Sequence, residues 1–184
     1  MRFLLASNSP RRRELLKEVI AAFQVVPSRY EEAGKAGEQG SERALRFAEG
    51  KAEEVFSRFP DAAVLGADTV VELDGAILGK PKTQAEAFSM LQALSGKTHS
   101  VFSGVCLVTP EGKRLGVEEA RVTFRPLSDE EIRAYIATGS PMDKAGAYGI
   151  QDSGFVSALS GSYSCVVGLP LERVREYCKE LHLC

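Results

Sequence analysis

The sequence has few of the residues that bind transition metals or form disulfides. Its 184 residues include two histidines and four scattered cysteines, which form no CxxC pair: Cys106, Cys165, Cys178 and Cys184. Cys/His zinc sites need these residues at regular short spacings, and disulfide-stabilised domains are small and rich in cysteine. We therefore expect neither a zinc site nor a disulfide framework.

Long apolar runs and an excess of positive charge are also lacking. The apolar run near the amino terminus is very short and is soon followed by three arginines, so it is typical of neither a signal peptide nor a membrane span. A formal net charge of -2 argues against a broad surface for nucleic acid. We expect a cytoplasmic protein with no nucleic-acid or membrane partner, in which any anion site is local.

Common nucleotide-binding and hydrolase motifs are missing as well. No segment matches the phosphate-binding patterns GxxxxGK[ST] or GxGxxG. The GxSxG motif of serine hydrolases is also missing, because Gly161-Ser162-Tyr163 does not continue into that pattern. A phosphate site in this chain must therefore use a different arrangement.

Predicted strands alternate with predicted helices along the chain. Ser9 is a plausible N-cap for a first helix, with Pro10 at its first position, and further helices are expected after residues 41 and 81, from 128 and near 170. The predicted strands are residues 3–6, 62–65, 70–73, 76–78 and 98–109, a return strand ending near 124, and short strands around Phe155 and Val166. This alternation predicts an α/β fold with a mixed, twisted sheet and flanking helices. A doubly wound parallel sheet is the alternative.

The segment SNSPRRR, residues 7–13, lies on the predicted turn from the first strand to the first helix. Hydroxyl groups, free amides of the helix start and guanidinium groups meet there, an arrangement that stabilises phosphate oxygens. The functional interpretation is a clamp for polyphosphate, and the alternative is a capped helix with solvated arginines. Because consecutive residues point around a helix, Arg13 is not expected to face the same way as Arg11 and Arg12.

Asp68 is predicted at the end of an apolar strand, within GADTVV. Ligands of open α/β sheets bind beyond the carboxyl ends of strands, where a carboxylate can bind a divalent cation or accept a proton from attacking water. The alternative is a turn-forming aspartate. Glu31 and Glu32 can add a second carboxylate or can simply be solvated. The same two interpretations apply to the lysines that offer countercharge: Lys51, Lys80 and Lys82.

Together these segments resemble the Maf family of nucleotide pyrophosphatases over nearly the whole chain. The resemblance is carried by SNSPRRRELL, the Glu31-Glu32 loop, FAEGKA, LGADTVV, LGKPKT, MLQALSGKTHSVFSGV, PMDKAGAYGIQ and SYSCVVGLP. It implies one Maf-like domain over residues 1–184, similar to inosine triphosphate pyrophosphatases, with two lobes around a central cleft. It also implies a homodimer and metal-dependent release of pyrophosphate from nucleoside triphosphates. We expect Mg²⁺ or Mn²⁺, because the available ligands are carboxylates and phosphate oxygens.

The resemblance also implies roles for individual residues. It makes Asp68 the catalytic proton acceptor and Glu32 its partner in binding the metal. The expected phosphate-binding residues are Ser7, Ser9, Arg11, Arg12, Lys51 and Lys80. The subgroup acting on dTTP and UTP is similar to this chain in having KAGAYGIQ, and its specificity positions correspond to Arg11, Thr69 and Gln151. The alternative for Gln151 is a residue that merely caps a loop.

One segment departs from the family pattern. After Gln151 the chain reads DSGFVSALSGSY, where relatives usually have a glycine next and a slightly longer segment. Asp152 and the shortened loop can therefore alter the base pocket or the interface between the lobes. Three other functions stay open: a nucleotide-binding regulator of septum formation and cell division without turnover, a 7-methyl-GTP pyrophosphatase, and an enzyme for modified pyrimidine triphosphates.

Overall fold

The computed structural model describes residues 1–183, in which seven strands form one sheet flanked by helices. The strands are β1 (Phe3–Leu5), β2 (Gln24–Val25), β3 (Ala63–Leu73), β4 (Ala76–Leu78), β5 (Thr98–Thr109), β6 (Gly112–Phe124) and β7 (Val156–Ser160). The α-helices are α1 (Pro10–Leu16), α2 (Gly40–Arg58), α3 (Gln84–Leu94), α4 (Asp129–Ala137), α5 (Tyr163–Val167) and α6 (Leu171–Glu180). Two short 3-10 helices follow α4: Ser140–Asp143 and Ala145–Ala147. Residue 184, the last of the cysteines and the end of the expected domain, lies outside the described residues.

The sheet is mixed, as predicted, and the doubly wound parallel alternative is wrong. The strand order is β2-β1-β3-β5-β6-β7, with β4 paired to β3 as well. β1 is parallel to β2 and to β3, while the pairs β3-β4, β3-β5, β5-β6 and β6-β7 are antiparallel. Long hairpin-connected strands therefore form the centre of the fold, and the parallel part is confined to one side.

The core is divided between two lobes that share the long strands. In the first lobe, α1 and α6 pack on one face of the sheet and α2 packs on the other. In the second lobe, α3 and α4 pack on the far halves of β3, β5 and β6. The expected arrangement of two lobes around a cleft is therefore present. Within residues 1–183, none of the helices is long and apolar enough to cross a bilayer.

The prediction that Asp68 lies at a strand end is wrong. The segments 62–65 and 70–73 belong to a single strand, β3, and Asp68 lies at its middle, opposite Gly104 of β5. The sequence Gly66-Ala67-Asp68-Thr69 was expected to interrupt the strand, but the ladder to β5 continues through it. The parallel neighbour β1 ends at Leu5, opposite Leu65, so β3 extends beyond β1 and carries Asp68 past the end of that strand.

Helix starts agree with the predictions better than the carboxyl-terminal strands do. The Oγ atoms of Ser9 and Ser128 cap α1 and α4, and Ser128 forms a capping box with Glu131 at the start of the helix expected from residue 128. The strand predicted around Val166 is wrong, because this residue lies in α5. Ser162 caps that helix by accepting a hydrogen bond from the amide of Cys165. A serine cap therefore starts a short helix in a segment rich in strand-forming residues.

Candidate active site

The cleft opens at the edge of β3, between the end of β1 and the beginning of β4. β1 pairs with β3 as far as Leu65, and β4 pairs with it from Val71, so within residues 1–183 this edge has no strand partner in between. The cavity here has a volume of about 900 Å³, which is within the range of small-molecule sites. The fold thus exposes the middle of a central strand to a ligand.

All the predicted site residues line this one cleft, although they come from distant parts of the chain. They are Ser7, Ser9, Arg11, Arg12, Glu32, Lys51, Asp68, Thr69, Lys80 and Gln151. The lining is strongly cationic, with seven basic residues (Arg11, Arg12, Arg43, Lys51, Lys80, Lys82 and Lys144) against three acidic ones (Glu32, Asp68 and Asp143). A cleft of this charge favours a polyanion.

Lys51 joins the two predicted metal-binding carboxylates. Its Nζ atom lies 2.8 Å from Oδ1 of Asp68 and 2.5 Å from Oε1 of Glu32. The side chains of Lys51 and Asp68 are 13% and 11% exposed, whereas that of Glu32 is 46% exposed. One ammonium group thus holds a buried carboxylate and a more accessible one close together.

Two glycines bring α2 close enough to the sheet for this contact. Gly66 of β3 and Gly104 of β5 lie directly beneath α2, where a Cβ atom at either position would collide with the backbone of that helix. Gly66 and Asp68 are two residues apart and share a face of the strand. The close approach therefore positions Lys51, which lies on α2, above Asp68.

The pKa of Asp68 is shifted by its surroundings. Burial raises its pKa above the ordinary value, and the positive charges of Lys51 and Arg12 oppose that shift. A carboxylate with a raised pKa holds a proton more tightly and is a stronger general base than a solvated one. The local environment therefore suits Asp68 to accept a proton.

The hydroxyl groups of Ser7 and Ser9 accept hydrogen bonds from the protein, and their protons are available to a ligand. Ser7 Oγ accepts hydrogen bonds from the amide of Ser9, at 3.1 Å, and from Nη1 of Arg12, at 3.4 Å. Ser9 Oγ accepts from the amide of Arg12 at 3.3 Å. Because both hydroxyls act as acceptors within the described residues, each can still donate to an anion in the cleft.

Arg12 and Thr69 belong to one hydrogen-bonded group. Arg12 donates from Nε to the carbonyl of Gly168, at 2.7 Å, and from Nη2 to Oγ1 of Thr69, at 3.1 Å. Burial lowers the pKa of Arg12, although the charge of Asp68 opposes the effect. Thr69 Oγ1 lies 2.9 Å from Oγ of Ser103, which donates to the carbonyl of Cys165 at 2.7 Å. The guanidinium group is therefore held in a fixed orientation.

Arg11 extends from the same helix toward the opposite lobe. Its Nη1 atom donates to Oδ2 of Asp143 at 3.2 Å, and Asp143 in turn accepts from Lys144 at 2.9 Å. Lys80 and Gln151 are exposed, and in the part of the chain that the structure describes their side chains make no hydrogen bond to protein. These two side chains are therefore available to a ligand.

Sequence reasoning missed several residues of the cleft. Asp143, Lys144 and Tyr148 lie in or beside the KAGAYGIQ segment, whose glycines and short 3-10 helices fold it against the cleft. Their positions within a recognised segment were a signal that was not used. Ser103 is different, because it lies in a long strand and its contact with Thr69 depends on the register of β3 and β5. No local pattern reveals that register.

Comparison with solved structures defines the class of fold. The Ham1 protein of Staphylococcus aureus is similar to this chain with a TM-score of 0.59 and 13% identity, over 98% of this chain and 100% of that one. A HAM1 protein from Coxiella burnetii has a TM-score of 0.53 and 15% identity, over 98% and 99% of the two chains. The chain therefore has a Ham1-type α/β fold.

Sequence comparison identifies the family within that class. The family model described as Maf, Maf-like protein, matches residues 2–181. The chain belongs to the Maf-like protein family, and the resemblance expected from its motifs is confirmed.

Three curated relatives from different organisms carry the same name. The proteins of Koribacter versatilis (48% identity, covering 95% of this chain and 91% of the relative), Bacillus cytotoxicus (49%, 95% and 93%) and Thermococcus gammatolerans (51%, 92% and 91%) are each named dTTP/UTP pyrophosphatase.

Proposed function

We propose that this chain is a nucleoside triphosphate pyrophosphatase that hydrolyses dTTP and UTP to the monophosphate and pyrophosphate. The names of the curated relatives support the substrate class. The structural observation that carries the proposal is the buried Asp68 carboxylate, paired with Lys51, in a cleft whose other charges are mainly positive. Such a cleft combines a proton acceptor with a binding site for a polyanion.

In this proposal the triphosphate lies along the start of α1. The hydroxyl groups of Ser7 and Ser9 donate to phosphate oxygens, and Arg12 adds a fixed positive charge beside them. Lys80, on the opposite side of the cleft, compensates the charge that develops on the departing pyrophosphate. These interactions hold the phosphorus atom in position for attack.

Asp68 accepts a proton from the water molecule that attacks phosphorus. Its raised pKa strengthens it as a base, while Lys51 keeps it ionised and oriented by a hydrogen bond of 2.8 Å. Lys51 also prevents Glu32 and Asp68 from repelling each other. The pair of carboxylates is thus stable in the absence of substrate.

We further propose that Glu32 and Asp68 hold a divalent cation together with the substrate. Within residues 1–183 there is no group of three or more His, Cys, Asp and Glu residues that could hold a metal ion alone. Two carboxylates fit Mg²⁺ or Mn²⁺, which commonly take their remaining ligands from water and substrate phosphates. When bound, the cation would neutralise charge on the phosphate oxygens.

The base is read in this proposal by Gln151, with Arg11 and Thr69 as the other specificity residues. The exposed carboxamide of Gln151 carries a donor and an acceptor side by side, which match N3-H and a neighbouring carbonyl of uracil or thymine. The hydroxyl group of Thr69 already accepts a hydrogen bond from Arg12. Thr69 therefore acts on specificity indirectly, by orienting the guanidinium group of Arg12. Arg11 closes the cleft from the other side.

We also propose that the enzyme acts as a homodimer in the cytoplasm. The support is the family resemblance, together with a composition that favours no membrane or nucleic-acid partner. The molar mass in solution, measured by light scattering after size-exclusion chromatography, tests the oligomeric state. A mass equal to that of one chain would contradict the dimer.

A screen for pyrophosphate release tests the proposed activity. We expect release from dTTP and UTP with Mg²⁺ or Mn²⁺, its loss on chelation, and its recovery when metal is returned. The panel includes 7-methyl-GTP and modified pyrimidine triphosphates, so that a preference for either class identifies the alternative enzyme. Tight nucleotide binding without release of pyrophosphate under any of these conditions would instead support a regulatory protein.

A further inference from the structure

Asp152 accepts hydrogen bonds from two directions. The hydroxyl group of Tyr135, on α4, donates to Oδ1 at 2.8 Å, and Oγ of Ser140 donates to Oδ2. The same Tyr135 hydroxyl accepts a hydrogen bond of 2.9 Å from the amide of Gly149. The carboxylate of Asp152 and the amide of Gly149 are therefore attached to one tyrosine, which fixes the ends of the short segment that contains Gln151.

The hydrogen bonds continue from Ser140 across the cleft. Lys144 donates from Nζ to Oγ of Ser140 and to Oδ1 of Asp143, both at 2.9 Å. Arg11 donates to the other oxygen of Asp143 at 3.2 Å. We call the set of residues that links the two sides the polar bridge: Tyr135, Ser140, Asp143, Lys144 and Asp152.

The direction of each hydrogen bond in the polar bridge is determined by the chemistry of its groups. Lys144 can only donate, and Asp143 and Asp152, when ionised, can only accept. The single proton of Ser140 goes to Asp152, because Ser140 Oγ already accepts from Lys144. Removing the carboxylate of Asp152 would therefore deprive Ser140 of its acceptor and leave Tyr135 only the longer hydrogen bond, of 3.5 Å, that it donates to Oγ of Ser140.

The segment around Gln151 is packed tightly against Asp152. A Cβ atom at Gly149 would lie 2.8 Å from Oδ1 of Asp152 and 2.9 Å from Cε of Lys144. The side chain of Gln151 has no hydrogen bond to protein in the described chain, so its position depends on the backbone of this segment. The polar bridge holds that backbone together with the hydrogen bonds that the amides of Asp152 and Ser153 donate to the carbonyl of Gly149.

We propose that Asp152 is a positioning residue for base selection, which orients Gln151 through the backbone of its segment and Arg11 through the polar bridge. This inference rests on the proposed function, because it assumes that the two residues contact the nucleotide. Asp152 is not among the residues that line the cleft, so in this proposal it acts without contacting the substrate. Replacing Asp152 should raise KM and weaken discrimination between bases, and the replacement should affect kcat less.

The test compares Asp152→Ala and Tyr135→Phe with a control variant on the same helix. Tyr135→Phe keeps the ring, which packs on Phe155, and removes only the hydroxyl group. Ser128→Ala removes the N-cap of α4 and costs about 1 kcal/mol of stability without touching the polar bridge. If Asp152 acted only by stabilising the α4 region, the control would reproduce the kinetic effects of the other two variants.

The readout is the ratio of kcat/KM for UTP to that for CTP, with kcat and KM determined separately. We expect Asp152→Ala and Tyr135→Phe to lower the ratio by about tenfold, mainly through KM, and Ser128→Ala to leave the ratio as in the wild type. The double variant Asp152→Ala/Gln151→Ala should be little less selective than Gln151→Ala alone, because the two residues act as a unit.

Three results would overturn the proposal. The first is an unchanged ratio in both Asp152→Ala and Tyr135→Phe, the second is the same loss of selectivity in Ser128→Ala, and the third is independent, multiplicative losses in the double variant. Failure of the proposed function gives a different result, since the wild type would then release no pyrophosphate from either nucleotide.

Discussion

Nζ of Lys51 lies 2.8 Å from the carboxylate of Asp68 and 2.5 Å from that of Glu32, so one lysine binds two of the three acidic residues that line the cleft. The contact depends on α2 lying close to the sheet over Gly66 and Gly104. It holds a buried carboxylate in place beside the open edge of β3.

Replacing Asp68 with Asn should remove nearly all turnover. Asn keeps the shape of the side chain but can neither accept a proton nor offer a charge to a cation, so we expect kcat for UTP to fall by about 10² to 10⁴. Steady-state kinetics of Asp68→Asn measure the effect. A kcat close to that of the wild type would contradict the role of Asp68.

The same variant should keep its fold, which separates a catalytic defect from unfolding. Because the pKa of Asp68 is raised in the folded state, its contribution to stability is favourable below the unfolded pKa and is lost as the pH rises through the folded value. At pH 7 the buried carboxylate therefore costs stability. We expect the Tm of Asp68→Asn at pH 7 to equal or exceed that of the wild type.

Removing the charge of Lys51 should move the acidic limb of the pH-rate profile. Lys51 lowers the pKa of Asp68, opposing the effect of burial, so that pKa should rise further in Lys51→Met. We expect the limb of kcat/KM to shift to higher pH, whatever the loss of absolute rate. Profiles of both proteins on UTP provide the comparison, and an acidic limb at the same pH in both would show that Asp68 is not the titrating base.

His99 should make folding stability depend on pH. It is 2% exposed, its Nε2 atom lies 2.7 Å from the hydroxyl group of Tyr148, and burial lowers its pKa from 6.5 to about 4. A lowered pKa in the folded state gives stability that is present above 6.5 and is lost as the pH falls toward 4. Linkage gives a loss of about 2 kcal/mol between pH 7 and pH 5.

Denaturant unfolding of wild type and His99→Gln at these two pH values isolates that contribution. The glutamine keeps a polar neutral side chain but does not titrate, and other ionisable groups affect both proteins alike. The stability difference between the two proteins should therefore change by about 2 kcal/mol in favour of the variant at pH 5. A difference independent of pH would mean that the pKa of His99 is the same in the folded and unfolded protein, and would contradict the lowering of its pKa by burial.

Gln151→Ala should weaken base selection more than it slows hydrolysis of the preferred substrate. A site built around one hydrogen-bonding pattern leaves polar groups unpaired with another base, at about 1 to 3 kcal/mol for each group. Values of kcat/KM for dTTP, UTP, CTP and GTP, measured for both proteins, test this. If the variant keeps the wild-type ratios, Gln151 does not read the base.

Local signals in the sequence predicted a large part of the fold. Ser9 and Ser128 are typical helix N-caps, and α1 and α4 begin beside them. The predicted strands 70–73 and 76–78 leave only Asp74 and Gly75 between them, and these two residues form the turn between β3 and β4, both with positive φ. In each case the determining interactions lie within a few residues, so the sequence alone was sufficient.

Errors occurred where distant contacts decide the structure. Asp68 was predicted at a strand end, but pairing with β5 continues β3 through it. The contact of Arg11 with Asp143 joins residues 132 positions apart, and Thr69 meets Ser103 only through the strand register. The motifs nonetheless indicated the residues that line the cleft, because those segments were recognised as a family pattern. Their individual roles in the reaction stay predictions.

The products formed from UTP show which phosphoanhydride bond the protein breaks. Purified protein is incubated with UTP and a divalent metal, and the phosphorus-containing products are identified and quantified by ³¹P NMR. Cleavage between the α- and β-phosphates predicts UMP and pyrophosphate in equal amounts, with neither formed by Asp68→Asn under the same conditions. Formation of UDP and inorganic phosphate by the wild type would contradict the account.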